Sequence, residues 1–235
     1  MRPTRKSIGE KMPQFVVNDI SLYYELAGPE AGEAVVFLSG LTGDHNNWTL
    51  QVNRLKDRYR CLTFDWRDTG HSGLSQAHEY STADMAGDVA GLILGLNLGK
   101  SHLVGLSMGG AVAQEVALNY PELVGSLVLA STFCDRPRPV EIPGDKRTTG
   151  HLRQQAAVKM HNTCDRLHLI TAPTLVVAGS RDRSTTPQSQ YAFSTGIPDA
   201  RYELIQGAGH LLQLEKAGDF NRLLQAFLEV NPIES

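Results

Sequence analysis

The sequence predicts an α/β fold built on a mostly parallel sheet. Three observations carry that expectation. The chain opens on a hairpin pattern, and short runs rich in Val, Ile, Leu and Phe then alternate with helical stretches. In the middle, Gly105-Leu106-Ser107-Met108-Gly109 forms a Gly-x-Ser-x-Gly pentapeptide where one such run turns into a helix.

The hairpin is read from apolar residues 15–17, the turn pair Asn18-Asp19 and an alternating strand over 20–26. Further strands are expected over 34–38, 59–64, 102–104, 126–130, 174–178 and 202–205, which makes eight. Most are continuously apolar, as strands covered on both faces should be. Ser81-Thr82 caps a helix over 83–98 that sets Met85, Val89, Leu92, Ile93 and Leu96 on one face. The Ala-rich segment 110–118 favours a helix that stops at Asn119-Tyr120-Pro121. Residues 133–150 hold Pro137, Pro139, Pro143 and Gly144 and read as an extended loop, followed by a helix over 151–164. A last helix over 219–230 places Phe220, Leu223, Leu224, Phe227 and Leu228 at helical spacing.

A chain of 235 residues with 41% hydrophobic and 20% charged residues suits one domain with a substantial core. Residues 1–14 are basic without the apolar stretch of a signal peptide and read as a flexible arm, leaving 15–235 as the domain. A net charge of −3 and the lack of a Lys/Arg stripe argue against nucleic acid as a partner. No apolar run approaches the roughly 18 residues of a membrane span, so no membrane partner is expected. Cys61, Cys134 and Cys164 are scattered without metal-ligand spacing. They read as three free thiols in a reducing cytoplasm, with no metal site.

The pentapeptide gives the chemistry its starting point. A serine at a sharp strand-to-helix turn projects its hydroxyl from the carboxyl end of the sheet, where a base can reach it. Of eight histidines, His210 is the best placed, because it follows a strand and the small-residue loop Gln206-Gly207-Ala208-Gly209. The others sit inside a strand (His102) or in helical or exposed contexts, such as His78, His151, His161 and His168. Asp182 leaves the end of another strand through Gly179-Ser180-Arg181 and is the candidate to orient the imidazole.

The order Ser107, Asp182, His210 resembles the triad of the α/β-hydrolase superfamily, and the resemblance spans residues 20–227. Leu38-Ser39-Gly40-Leu41-Thr42-Gly43 with Trp48 is similar to that family's H-G-x-x-G…W loop. Residues 64–72, Phe64 to Ser72, resemble its D-x-R-G-x-G-x-S segment, and Ala172-Pro173-Thr174-Leu175 its P-T-L strand. The resemblance implies an oxyanion hole made of the Leu41 and Met108 backbone N–H groups. It also implies a site needing neither metal nor organic cofactor. Trp48, Trp66 and Phe133 are candidates for pocket walls and equally for core packing.

Two residues depart from the family pattern: Ser39 stands where a histidine is usual, and Asp68 where a glycine is usual. The interval that carries the family's helical cap is also short, so a reduced cap is expected, with 133–165 as its loop-and-helix remnant. The expected activity is that of a serine carboxylesterase acting on small esters. The alternatives are a lactonase similar to 3-oxoadipate enol-lactonases and a non-catalytic ligand-binding signalling protein of the same fold. The partners expected are a small ester or lactone substrate and either no second copy or a small homo-oligomer. An Asp nucleophile, as in dehalogenases and epoxide hydrolases, is excluded by Ser107. A dinucleotide site is excluded by the lack of G-x-G-x-x-G.

Overall fold

The computed structural model of the chain describes residues 13–135 and 148–233. One eight-stranded sheet runs in the order β1-β2-β4-β3-β5-β6-β7-β8. The strands are β1 (Gln14–Val17), β2 (Ile20–Ala27), β3 (Ala34–Leu38), β4 (Arg60–Phe64), β5 (Ser101–Leu106), β6 (Val124–Ala130), β7 (Thr174–Gly179) and β8 (Arg201–Ile205). All eight expected strands are present. β1 and β2 form the opening antiparallel hairpin around Asn18-Asp19, and β2 is antiparallel to β4. From β4 across to β8 every pair is parallel.

The helices are α1 (Thr49–Leu55), α2 (Thr82–Gly95), α3 (Met108–Asn119), α4 (Thr149–Met160), α5 (Pro187–Ser194), α6 (Leu212–Glu215) and α7 (Ala217–Glu229). The central strands β3, β5, β6 and β7 are almost wholly buried, because helices cover both faces. One core layer joins the sheet to Met85, Val89, Leu92 and Ile93 of α2, Val112 and Val116 of α3, and Phe193 of α5. The other joins it to Leu55 of α1 and to Phe220, Leu224, Phe227 and Leu228 of α7.

Ser81 caps α2 as read from the sequence, and Asp84 completes the capping box with a bond back to the Ser81 amide. The helix stops at Gly95 rather than residue 98, where Asn97 and Gly99 take left-handed backbone angles. Gln14, expected in the basic arm, pairs with Tyr23 in the hairpin, and residues 1–12 of the expected arm lie outside the described residues.

Between β6 and β7 the described residues carry one α-helix, α4, and a short 3-10 turn at Cys164–Leu169. Most of the expected Pro-rich loop, residues 136–147, lies outside the described residues. The expectation of three free thiols is corrected here: Cys134 and Cys164 form a disulfide across a Cα–Cα distance of 4.9 Å, and only Cys61 is free. Thirty positions apart in sequence, the two are brought together because the chain must return to the sheet beside the end of β6. Gln114 of α3 fastens that return, donating to the Phe133 carbonyl at 2.9 Å and accepting from Thr163 Oγ1 at 2.6 Å. The Thr163 amide adds a bond to the Cys134 carbonyl at 2.7 Å. With that disulfide, the thiol argument for a reducing compartment loses its basis.

His161 ends α4 in a fully packed setting rather than an exposed one, with Nδ1 2.9 Å from Thr82 Oγ1 and its ring edge-on to Phe133. Burial, with a smaller push from the Arg166 charge, lowers its pKa to about 4. The unfolded chain takes up this proton near pH 6.5, whereas the folded protein resists it until about pH 4. Stability should therefore fall as pH drops through that window, by on the order of 3 kcal/mol from this residue. Urea unfolding between pH 7 and pH 4 measures it, and the slope should flatten in His161→Gln. An equal slope in the two proteins would refute the assignment.

Candidate active site

Three strand ends converge at the carboxyl edge of the sheet. β5 ends at Leu106 and α3 begins at Met108, so Ser107 alone makes the turn, with φ 52° and ψ −117°. Its backbone is held on every side. The Ser107 amide donates to the Ala130 carbonyl at 2.9 Å, while its carbonyl accepts from Gly110 and Ala111 amides and from Thr132 Oγ1 at 2.7 Å. The turn closes only because Gly109 has no side chain: a Cβ there would lie 2.1 Å from the Leu38 carbonyl oxygen.

β7 leads through Gly179 into Asp182, and β8 leads through Gly207 and Ala208 into His210. The two loops are laced together. Arg181 N–H donates to the Ala208 carbonyl at 2.8 Å, and Gly207 N–H donates to Ser180 Oγ at 2.8 Å. The result is a continuous relay: His210 Nδ1 is 2.9 Å from Asp182 Oδ2, and His210 Nε2 is 3.1 Å from Ser107 Oγ. A carboxylate can only accept, so Nδ1 carries the proton and Nε2 is left basic towards the serine.

The Asp182 side chain is fully buried. Burial pushes its carboxyl pKa up, but the His210 hydrogen bond and charge, together with the Thr185 hydroxyl and amide, outweigh that and hold it below the ordinary carboxylate range. Thr185 Oγ1 donates to Oδ2 at 2.7 Å, and the Ser184 and Thr185 amides donate to Oδ1 at 2.8 and 3.0 Å. The anion is thus fully solvated by protein groups and can steady an imidazolium beside it.

The serine opens into a cavity of about 340 Å3 lined by Gly40, Leu41, Thr42, Asn47, Leu106, Ser184, His210 and Leu211. The Leu41 amide borders this space, and the Met108 amide stands at the N-terminus of α3 beside Ser107. Neither amide has a partner among the described residues. Two such N–H groups beside the Ser107 hydroxyl, one at the positive end of a 12-residue helix, form an arrangement that can receive negative charge on an oxygen.

The three aromatic candidates for pocket walls are core residues instead. Trp48 is buried against Phe37 and Phe220, and Trp66 is buried against Phe64 while its Nε1 donates to the Ser39 carbonyl. Phe133 packs on His161, and none of the three borders the cavity.

Both departures from the family pattern have structural partners. Ser39 Oγ donates to the Asp44 carbonyl at 2.8 Å and closes the loop after β3. Asp68 accepts from the Ser75 amide at 2.7 Å and pairs with Arg153 of α4 at 3.2 Å. The next residue, Gln154, is buried. It donates to the Arg67 carbonyl and to Thr69 Oγ1, and accepts from the Thr42 amide at 3.3 Å. Sequence reading missed Gln154, Thr132 and Thr185. Their signal is tertiary, since each bonds to a residue that only the fold brings close or, for Thr185, to an aspartate whose role depends on the fold.

An α/β sheet carrying a Ser–His–Asp relay at its carboxyl edge defines the class of protein. The sequence profile of the α/β hydrolase fold matches residues 33–160 and 146–217, two segments that overlap within α4 and its approach. The chain belongs to the α/β hydrolase fold family and is a hydrolase. It is 28% identical over 257 positions to RutD of Variovorax paradoxus (strain S110), which is named as a carbamate hydrolase, covering 88% of this chain and 96% of that one. It is 29% identical over 252 positions to 3-oxoadipate enol-lactonase 1 of Acinetobacter baylyi, covering 89% and 93%. The crystal structure of the enol-lactonase from Burkholderia xenovorans LB400 shares the fold, with a TM-score of 0.86 at 23% identity, covering 92% of this chain and all of that one. In the first alignment, 88% of 235 residues is about 207, so about 50 of the 257 positions have no counterpart in this chain.

The steric fit at the turn gives a test. Gly109→Ala should destabilise the protein by about 3 kcal/mol, because the clash is with backbone that cannot step aside. Chemical denaturation measures it, and an unchanged unfolding midpoint would contradict the packing described.

Proposed function

We propose that the protein hydrolyses small carboxylic esters through an acyl-enzyme on Ser107. The observation that carries this reading is the unbroken chain from Asp182 through His210 to Ser107, ending at the wall of a largely apolar cavity. Ser107 Oγ attacks the ester carbonyl carbon while its proton passes to His210 Nε2. Asp182 holds the imidazole in the Nδ1–H tautomer and steadies the imidazolium. The amides of Leu41 and Met108 meet the oxyanion of the tetrahedral intermediate. His210 then gives the proton to the departing alcohol, and the same base draws a proton from the water that releases the acid.

The size and lining of the cavity support short, uncharged acyl groups. His210 is the one ionisable side chain among its described lining residues, and a space near 340 Å3 lies at the small end of ligand sites. We also read the positions missing relative to RutD as the family's cap, reduced here to 133–165. A site so bared would admit varied alcohol groups while shielding the reaction less from water.

A lactone is a cyclic ester, and the same relay would open it while the leaving alcohol stays attached. The likeness to 3-oxoadipate enol-lactonase 1 supports this second reading.

The test is hydrolysis of p-nitrophenyl esters from acetate to decanoate, beside simple lactones and an aryl carbamate. Acetate and butyrate esters should be turned over fastest. Ser107→Ala should lose about 10⁴-fold or more in kcat, and Asp182→Asn about 10³- to 10⁴-fold with little change in KM. Lactone turnover exceeding that of every ester would favour the second reading. Unchanged turnover in Ser107→Ala would overturn both.

A further inference from the structure

Glu215 has no part in the relay, yet its carboxylate grips the peptide groups on either side of the base. Oε2 accepts the Gly209 N–H at 2.7 Å, and Oε1 accepts the Leu211 N–H at 3.2 Å. Glu215 is the last residue of the one-turn helix α6, and the Leu211 carbonyl accepts the Leu214 and Glu215 amides of that turn. The chain thus leaves His210, makes one turn and comes back to hold the loop it has just left. Gly209 permits the approach, for a Cβ there would already stand 3.0 Å from both carboxylate oxygens.

The rest of the loop is held from a different quarter. Gly207 and Ala208 are bound by Ser180 and Arg181, in the segment that leads to Asp182. Those bonds end one residue short of Gly209. Among the described residues, the amides adjoining His210 have Glu215 as their partner and no other. The span it controls has little slack. His210 Nε2 lies 3.1 Å from Ser107 Oγ, close to the far limit at which a proton can pass.

We propose that Glu215 is a positioning residue for the base. By chelating two consecutive-but-one amides with one carboxylate, it sets the depth of the His210 ring against Ser107 before substrate arrives. Hydrogen bonds from amides to an anion are short and strong, and two from one rigid group fix orientation as well as distance. The inference rests on reading Ser107, His210 and Asp182 as the catalytic relay, and the experiment separates the two.

Hydrolysis of p-nitrophenyl acetate is measured for wild type, Ser107→Ala, Glu215→Ala and Glu215→Gln, with melting temperature and the folded fraction of each. Glu215→Ala should lower kcat per folded molecule by about 10- to 100-fold, the scale of a misplacement near 1 Å, with KM within twofold. Glu215→Gln keeps one acceptor oxygen and should retain clearly more turnover than Glu215→Ala. If the alanine variant does not fold, a several-fold loss of kcat in Glu215→Gln at unchanged KM carries the same meaning. Wild-type kcat per folded molecule in Glu215→Ala, beside an inactive Ser107→Ala, overturns the role of Glu215 alone, as does a raised KM at unchanged kcat. An active Ser107→Ala overturns the relay and this role together.

Discussion

The turn at Ser107 is the constraint on which the rest of the site depends. A non-glycine residue at φ 52° is held in backbone space that costs about 1–3 kcal/mol, and such strain persists only where neighbours over-determine it. Here they do so from three directions. β6 takes the Ser107 amide, α3 returns two amides to its carbonyl, and Thr132 adds a hydroxyl. The same bend that strains the backbone frees the Met108 amide, because a chain turning that sharply cannot offer this N–H a carbonyl from the preceding turn. Strain, the outward aim of the Ser107 hydroxyl and an unbonded amide beside it are one geometric event.

The interval between β6 and β7 is fastened by a separate set of contacts. Arg153 and Gln154 of α4 bind the loop after β4 through Asp68, Arg67 and Thr69, and that loop is pinned to α2 by the buried Arg67–Asp88 pair at 2.6 Å. At its far end the Cys134–Cys164 disulfide and the Gln114–Thr163 bond return the chain to the sheet. Asp68, which departs from the family pattern, is the anchor for this docking. The departure is therefore matched by the helix it holds, α4.

The legible parts of the molecule were those whose signal is local. The central strands were readable because continuous burial needs continuous apolar sequence, the opening hairpin through its turn pair and alternation, and Ser107, Asp182 and His210 because each follows a strand through small or polar residues. The capping of α2 by Ser81 was readable for the same reason. What escaped depends on residues far apart in the chain. Cys134 and Cys164 are scattered in sequence and meet only because the interval between them is fastened at both ends. Trp48 and Trp66 suited a pocket wall and core packing equally, since a large aromatic near a motif fits both, and Phe37, Phe220 and Phe64 enclose them in the core. Gln154 sits in a helix of weak patterning, and nothing in that helix's own sequence announces three partners from other loops.

The contacts that hold the relay and those that fasten the chain between β6 and β7 fall on different segments. The loops that carry Asp182 and His210 bind each other and α6: Ser180 and Arg181 hold the residues before His210, and Ser184 and Thr185 hold Asp182. All of these residues follow β7. Among the described residues, the segment from Phe133 to β7 binds elsewhere, on the loop after β4, on α2 and on α3, and it meets the cavity lining where Gln154 accepts the Thr42 amide. The contacts that order Asp182 and His210 therefore lie on segments other than the one between β6 and β7.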